Sequence, residues 1–169
     1  RVNSDLVGKY INIASRASGF LAKRFDNALA TPDARGHDLL AHVIGKSATV
    51  KAHYEEREYA KALRETMAMV DDVNAYIEEQ KPWELATQEG PLPLAQLHAV
   101  CSTSIEAFRL LTIYLKPVLP GVASDVEAFL RLAPLTFADT STGMGAGHCI
   151  ADYQHLLARV DSKQLDALF

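Results

Sequence analysis

Over residues 56–81 and again over 93–115, apolar side chains recur every three or four positions, the period of one face of an α-helix. Nowhere does a strict apolar–polar alternation survive for six residues, and no Asn-Gly or Asp-Gly pair offers a hairpin turn. Together these facts confine the chain to an all-α helical bundle.

In the first stretch Tyr59, Leu63, Met67, Val70, Val73 and Ile77 make the expected buried stripe, while Glu55, Glu58, Lys61, Arg64, Glu65, Asp72 and Glu79 fall on solvated sides. Lys81 precedes Pro82, and a residue before proline is disfavoured in the α region, so this helix should bend or end there with Trp83 held at the corner. Glu84 to Thr87 leaves room for one more turn. The second stretch turns Leu94, Leu97, Cys101, Ile105, Phe108, Leu111 and Leu115 toward the core, and Pro117 and Pro120 bracket its end. Residues 4–29 predict a further helix carrying Leu6, Tyr10, Ile13, Ala17, Phe20, Leu21 and Phe25. Gly8 and Gly19 interrupt it at up to ~1 kcal/mol each against Ala, which suggests close approach of another helix or a ligand. Thr31-Pro32 offers an N-cap with proline at the first helical position, for a helix running to about Tyr54. Residues 121–132 predict a shorter one. About five main helices are thus expected in one bundle over residues 1–133. Residues 134–169 should hold a surface connection from Thr136 to His148 and a short helix from about Ser162. Its pattern is still running at Phe169, so the chain reads as a piece of a longer protein.

A chain of 169 residues with 49% hydrophobic and 22% charged residues suits one well-buried domain. Charges punctuate every apolar stretch before ~20 residues accumulate, and no basic-then-apolar leader opens the sequence, so a cytoplasmic location without membrane contact is expected. Cys101 and Cys149 are too few and too far apart for a disulfide framework, and the six histidines show no compact ligand spacing for a metal. The net charge of −4 argues against a general nucleic-acid coat. Yet residues 1–30 hold Arg1, Lys9, Arg16, Lys23 and Arg24 against Asp5 and Asp26, whereas residues 52–90 are acidic. A local basic face can steer RNA while the remaining surface repels it.

Enzymatic readings find little support. No glycine-rich phosphate loop follows a strand, no nucleophile elbow appears, and the Gly143-Met144-Gly145-Ala146-Gly147 run lacks the lysine a phosphate loop needs. The pairs Glu55/Glu56 and Asp71/Asp72 read as a solvated helix face. A binding surface fits better. Asn12 and Arg16 share one helix face, the first offering an amide for a base edge and the second five donors for phosphate, base or stacking. Trp83 offers a platform for an unstacked base, worth ~1–3 kcal/mol, and single-stranded loops are the usual target of such a set.

Three separated motifs, Asn3-Ser4-Asp5-Leu6-Val7-Gly8-Lys9-Tyr10-Ile11-Asn12-Ile13-Ala14-Ser15-Arg16, Glu79-Gln80-Lys81-Pro82-Trp83 and the run from Phe108 to Pro120, closely resemble the C-terminal helical domain of bacterial methionyl-tRNA synthetase. The resemblance covers nearly the whole chain in one order. It implies a class I aminoacyl-tRNA synthetase fold of the anticodon-binding type, recognising the CAU anticodon of tRNA(Met). It carries the anticodon readers onto Asn12, Arg16 and Trp83, with Pro82 shaping the corner, Asp71 and Glu78 near the anticodon, and Lys9 in a supporting basic face. The family commonly has Asp where Glu78 stands and Asn where Gly8 stands. The segment from Gly147 to Asp161 resembles the stretch returning toward the catalytic domain, with Ala151-Asp152-Tyr153 replacing the usual Asn-Pro-Phe.

The resemblance further implies partners: the tRNA(Met) anticodon stem-loop, an N-terminal catalytic domain of the same enzyme, and a homodimer if a C-terminal extension is present. No DNA partner is implied. ATP, Mg²⁺ and Zn²⁺ would belong to the complete enzyme. The chain carries neither the ATP-binding signatures of the family nor its cysteine-bearing zinc insert, so by itself it is expected to be inactive. Two other readings compete. One is a helical domain for protein–protein contact within a larger assembly; the other is a degenerate enzyme domain, which would need an apolar pocket with mutually placed acid and base groups.

Overall fold

The computed structural model describes the backbone of residues 2–154 and the side chains of residues 8–154. The described chain is an all-α bundle built from α1 (Val2–Arg24), α2 (Ala34–Ile44), α3 (Ser47–Glu55), α4 (Tyr59–Gln80), the single turn α5 (Pro82–Leu85), α6 (Pro91–Leu115) and α7 (Pro120–Leu130), with a 3₁₀ turn at Phe137–Ser141. The short helix expected from Ser162 lies outside the described residues. No helix among them is long and apolar enough to cross a membrane.

α6 is the axis of the bundle. From Leu97 to Leu115 every residue except His98 and Glu106 is buried, because α1, α2, α3, α4, α5 and α7 all pack against it. A helix buried on all sides must satisfy its own polar groups. Thr103, Ser104 and Thr112 do so by donating to the carbonyls of Ala99, Val100 and Phe108 at 2.7–2.8 Å. α1 lies along α6 with Tyr10 stacked on Phe108 at 4.6 Å and its hydroxyl bonded to Thr112. Burial pushes the Tyr10 phenol well above its ordinary range. The Cys101 thiol, in the same core, is pushed up to about 12 by burial.

The sequence expectations fail in several places, each for a local reason. α1 stops at Arg24 rather than near residue 29, because Asp26 and Asn27 turn left-handed at φ 52° and 62° and Asn27 N–H bonds back to the Leu21 carbonyl. Asp33, not Thr31, caps the next helix: its carboxylate accepts from Gly36 N–H at 2.8 Å, and Pro32 stands before the cap. The expected single helix to Tyr54 is two. A tight turn at Gly45 and Lys46, closed by Lys46 N–H on the Val43 carbonyl, redirects the chain into α3. Tyr59 and Leu94, both assigned to the core, are 48% and 41% exposed because they sit in first turns that overhang the bundle.

Close helix approach occurs, but at a glycine other than Gly8 or Gly19. A Cβ on either of those would meet nothing within 4 Å, whereas one on Gly36 would lie 2.4 Å from Thr103 Oγ1. Gly36 therefore lets α2 press onto α6. The segment after α7 returns over the surface yet is tied down. Arg109 Nη1 donates to the Asp139 carbonyl at 2.9 Å, Met144 N–H to Glu106 Oε2 at 2.7 Å, and Lys116 bridges Glu127 and the Leu135 carbonyl. Leu135 and Ile150 join the core, and a short bridge pairs Ala28 with Cys149.

The two cap assignments separate by mutation. Asp33→Ala should destabilise the chain by ~1 kcal/mol in urea unfolding, while Thr31→Ala should stay within ~0.5 kcal/mol. The reverse order would restore Thr31 as the cap.

Candidate nucleic-acid interface

α1 and α4 lie side by side and run in the same direction, in a register that three contacts fix. Lys9 Nζ meets Asp71 at 3.2 Å, Arg16 Nη2 meets Glu78 at 3.3 Å, and Arg24 Nη2 donates to the Ala86 carbonyl at 2.7 Å, each pair 62 residues apart. Steps of seven and eight residues return to nearly the same helix face, so the partners line up along one seam. Asn74 Nδ2 adds a bond to the Lys9 carbonyl at 3.3 Å.

The other flank of α4 is zipped to α2 and the turn after it. Glu79 meets Arg35 at 3.1 Å, Asp72 meets His42 at 2.9 Å, and Glu65 meets Lys46 at 3.9 Å. Each of the five carboxylates on α4 therefore has a side-chain partner on a neighbouring element, four of them a lysine or arginine. They do not form a free negative surface along α4.

At the end of the seam the chain turns sharply. Lys81 adopts the left-handed conformation (φ 51°, ψ 63°), at once closing α4 and opening α5; the proline that follows disfavours the right-handed helical region that would have continued α4. Pro82 is buried, and Trp83, the next residue, is 37% exposed. The indole therefore projects from a corner whose backbone is fixed by the bonds of Glu84 and Leu85 N–H to the Lys81 carbonyl. The Arg16 guanidinium carbon lies over this ring, 4.9 Å from its centroid, a cation–π contact.

The structure thus brings Arg16, Glu78, Trp83 and Pro82 into one site and sets Lys9 and Asp71 two turns away on the same seam. Asn12 stands on α1 one turn before Arg16, exposed, and its side-chain amide has no hydrogen-bond partner among the described residues. All of its donors and acceptors are open to a ligand. The ties on Arg16 are weak ones. Its pair with Glu78 is 30% and 62% exposed, and such pairs contribute ~0–1 kcal/mol. A ligand can draw Arg16 off the indole at little cost.

Sequence reasoning counted Lys23 and Arg24 only in a general basic stretch and gave Lys81 no role, although Arg24 bonds the Ala86 carbonyl just after Trp83 and Lys81 stands two residues before it. The available signal was the heptad step from Arg16 to Lys23 and the position of Lys81 two residues before the indole.

A groove of about 550 Å³ lies elsewhere, between α2, α6 and the loop at residues 143–146. Glu106 and Arg109 reach it, but they are spent on each other at 2.8 Å and on the backbone of the returning segment. They form a clamp and not an acid–base pair poised for chemistry.

No family model matches the chain. The methionine–tRNA ligase of a Polaromonas species is 58% identical over 169 residues, all of this chain, and that of Methylibium petroleiphilum is 59% identical over 170. The chain spans 24% of the length of each. Among solved structures, free methionyl-tRNA synthetase of Mycobacterium tuberculosis superposes with a TM-score of 0.86 at 25% identity, over 95% of this chain and 34% of that one. The same enzyme with methionyl-adenylate gives 0.86 at 26%, over 94% and 32%. The bundle is accordingly a helical domain of the class I aminoacyl-tRNA synthetases. It corresponds to the C-terminal domain of bacterial methionyl-tRNA synthetase.

Because Trp83 is the chain's only tryptophan, intrinsic fluorescence reports this site alone. Arg16→Ala should uncover the indole and red-shift its emission, while lowering stability by less than ~1 kcal/mol. Unchanged emission would mean that Arg16 does not cover Trp83 in solution.

Proposed function

We propose that this domain reads the CAU anticodon of tRNA(Met) for a methionine–tRNA ligase. The observation that carries the reading is the exposed indole of Trp83 under the loosely tied guanidinium of Arg16, one helical turn from the free amide of Asn12. An unstacked base resting on Trp83 replaces the guanidinium on the ring. Arg16, once released, and Asn12 then face the edge of that base or its neighbour. Pro82 holds the corner, while Asp71 and Glu78 keep Lys9 and Arg16 in place until RNA arrives. The relatives named above support the assignment to this enzyme.

The parent enzyme would join methionine to tRNA(Met) in the cytoplasm with ATP and Mg²⁺, its chemistry carried by an N-terminal catalytic domain against which this bundle sits. The bundle alone supplies selection. Anticodon contact positions the acceptor end at the distant active site, so its loss falls on kcat/KM. The partition of the chain into a bundle over residues 1–133 and a segment from residue 134 that returns toward the catalytic domain belongs to the same reading.

The test is binding to an anticodon stem-loop carrying CAU and to the same loop with its first base changed, at fixed salt. CAU should bind more tightly, and Trp83→Ala or Arg16→Ala should each cost ~1–3 kcal/mol toward CAU. Equal binding of both loops by folded protein would overturn base reading. It would favour a protein–protein contact role, for which Leu92 and Leu94, exposed at the start of α6, offer apolar surface.

A further inference from the structure

Half of the described lysines and arginines are already engaged. Lys9, Arg16, Arg35, Lys46, Lys61, Arg109 and Lys116 each have a carboxylate within 4.0 Å. Among the described residues, Lys23, Arg24, Lys51, Arg57, Arg64, Lys81 and Arg131 have none; of these, Lys23 and Lys81 are exposed and belong to the segments that meet at the Trp83 end of the seam. Lys81 stands two residues before the indole, at the left-handed corner between α4 and α5. Lys23 lies seven residues beyond Arg16 on α1, on nearly the same face and ~10 Å along the axis. The seam's register sets it level with Leu85, and Arg24, bonded to the Ala86 carbonyl, anchors that end of α1 against the turn. The nearby carboxylates in sequence, Asp26 and Glu84, pair with neither lysine.

We propose that Lys23 and Lys81 form a phosphate seat for the backbone of the RNA loop whose base rests on Trp83, an inference that builds on the anticodon reading above. A base laid on the indole brings its two flanking phosphates to the sides of the ring, and the long stems of Lys23 and Lys81 are to carry their unneutralised ammonium groups to them. Lysine suits that task, because a mobile point charge on a flexible stem attracts a phosphate without selecting a base. The site then divides its labour. Asn12, Arg16 and Trp83 discriminate, and the two lysines add sequence-independent attraction. Because neither lysine has an ion pair to break, that attraction carries no internal cost, unlike any contact made by Lys9.

The experiment is the salt dependence of stem-loop binding by the full-length enzyme between about 50 and 200 mM, with Lys23→Gln, Lys81→Gln and, as a charge-matched control ~21 Å from Glu78 along α4, Arg64→Gln. Each lysine variant should lower the slope of log K against log salt by ~0.7, shrinking the salt effect over that range by about 2.6-fold. CAU and base-changed loops should weaken by the same factor. Unchanged slopes in both variants, with the wild type still preferring CAU, would overturn the seat and leave the anticodon reading standing. An equal fall for Arg64→Gln would overturn it too, by showing a general field effect. A wild type that binds both loops alike while the lysine variants alone lose slope would support the seat and overturn base reading. No binding of either loop would overturn both.

Discussion

Burial of α6 on every side from Leu97 to Leu115 is the constraint on which the rest of the molecule depends. A helix with no solvated face cannot stand alone, and its neighbours must enclose it completely. α1 and α4 cover one side in a shared register, α2 presses in where Gly36 lacks a side chain, and α7 with the returning segment closes the remainder. The charged groups that α6 does carry near its C-terminal half, Glu106 and Arg109, are neutralised against each other and against backbone of the return segment. Removing either partner would strand a buried charge, which is why such a pair fixes where that segment lies even though it adds little net stability.

The same enclosure defines the candidate site. α1 and α4 can present Arg16 and Glu78 to one another only because both rest on α6: Tyr10 on Phe108 from one side, and Val70, Val73 and Ile77 of α4 from the other. The polar seam is therefore the outer edge of an apolar contact, and its geometry comes from the core. The ion pairs along it are exposed and weak, so they set orientation more than stability. A rigid frame carrying loosely tied side chains suits a surface that must exchange internal contacts for those of a ligand.

Long helical periodicity made the fold class and the main helices legible in sequence, because amphipathic spacing is a local signal. The kink at Lys81 and Pro82 was equally plain, since proline acts on its immediate neighbour through sterics. What escaped was decided by tertiary competition. Thr31-Pro32 makes a good helix start, yet Asp33 made the better cap, with its other oxygen engaged by Gln96 of α6. Gly8 and Gly19 advertised close packing, but packing fell on Gly36, because only the arrangement of α2 over Thr103 determines which glycine meets a neighbour. For the site, sequence placed Asn12 and Arg16 on one face. It had no means to show that Arg16 crosses to α4 and covers Trp83, a contact between residues 67 positions apart.

That hidden contact changes what the residue types mean. An exposed tryptophan is an aggregation liability, and a bare arginine beside it would be strongly hydrated. Stacked together, each shields part of the other, and the pair keeps the indole available without leaving its whole face in water. A base that displaces the guanidinium exchanges one stacking partner for another, so the net gain from the ring is smaller than the full stacking energy. Affinity must then come from what the displaced Arg16 and the free Asn12 amide bond to, and those bonds depend on which base is present. The masked platform thereby shifts the balance from general affinity toward selectivity: a base that stacks but leaves Arg16 and Asn12 unsatisfied gains little over the closed state.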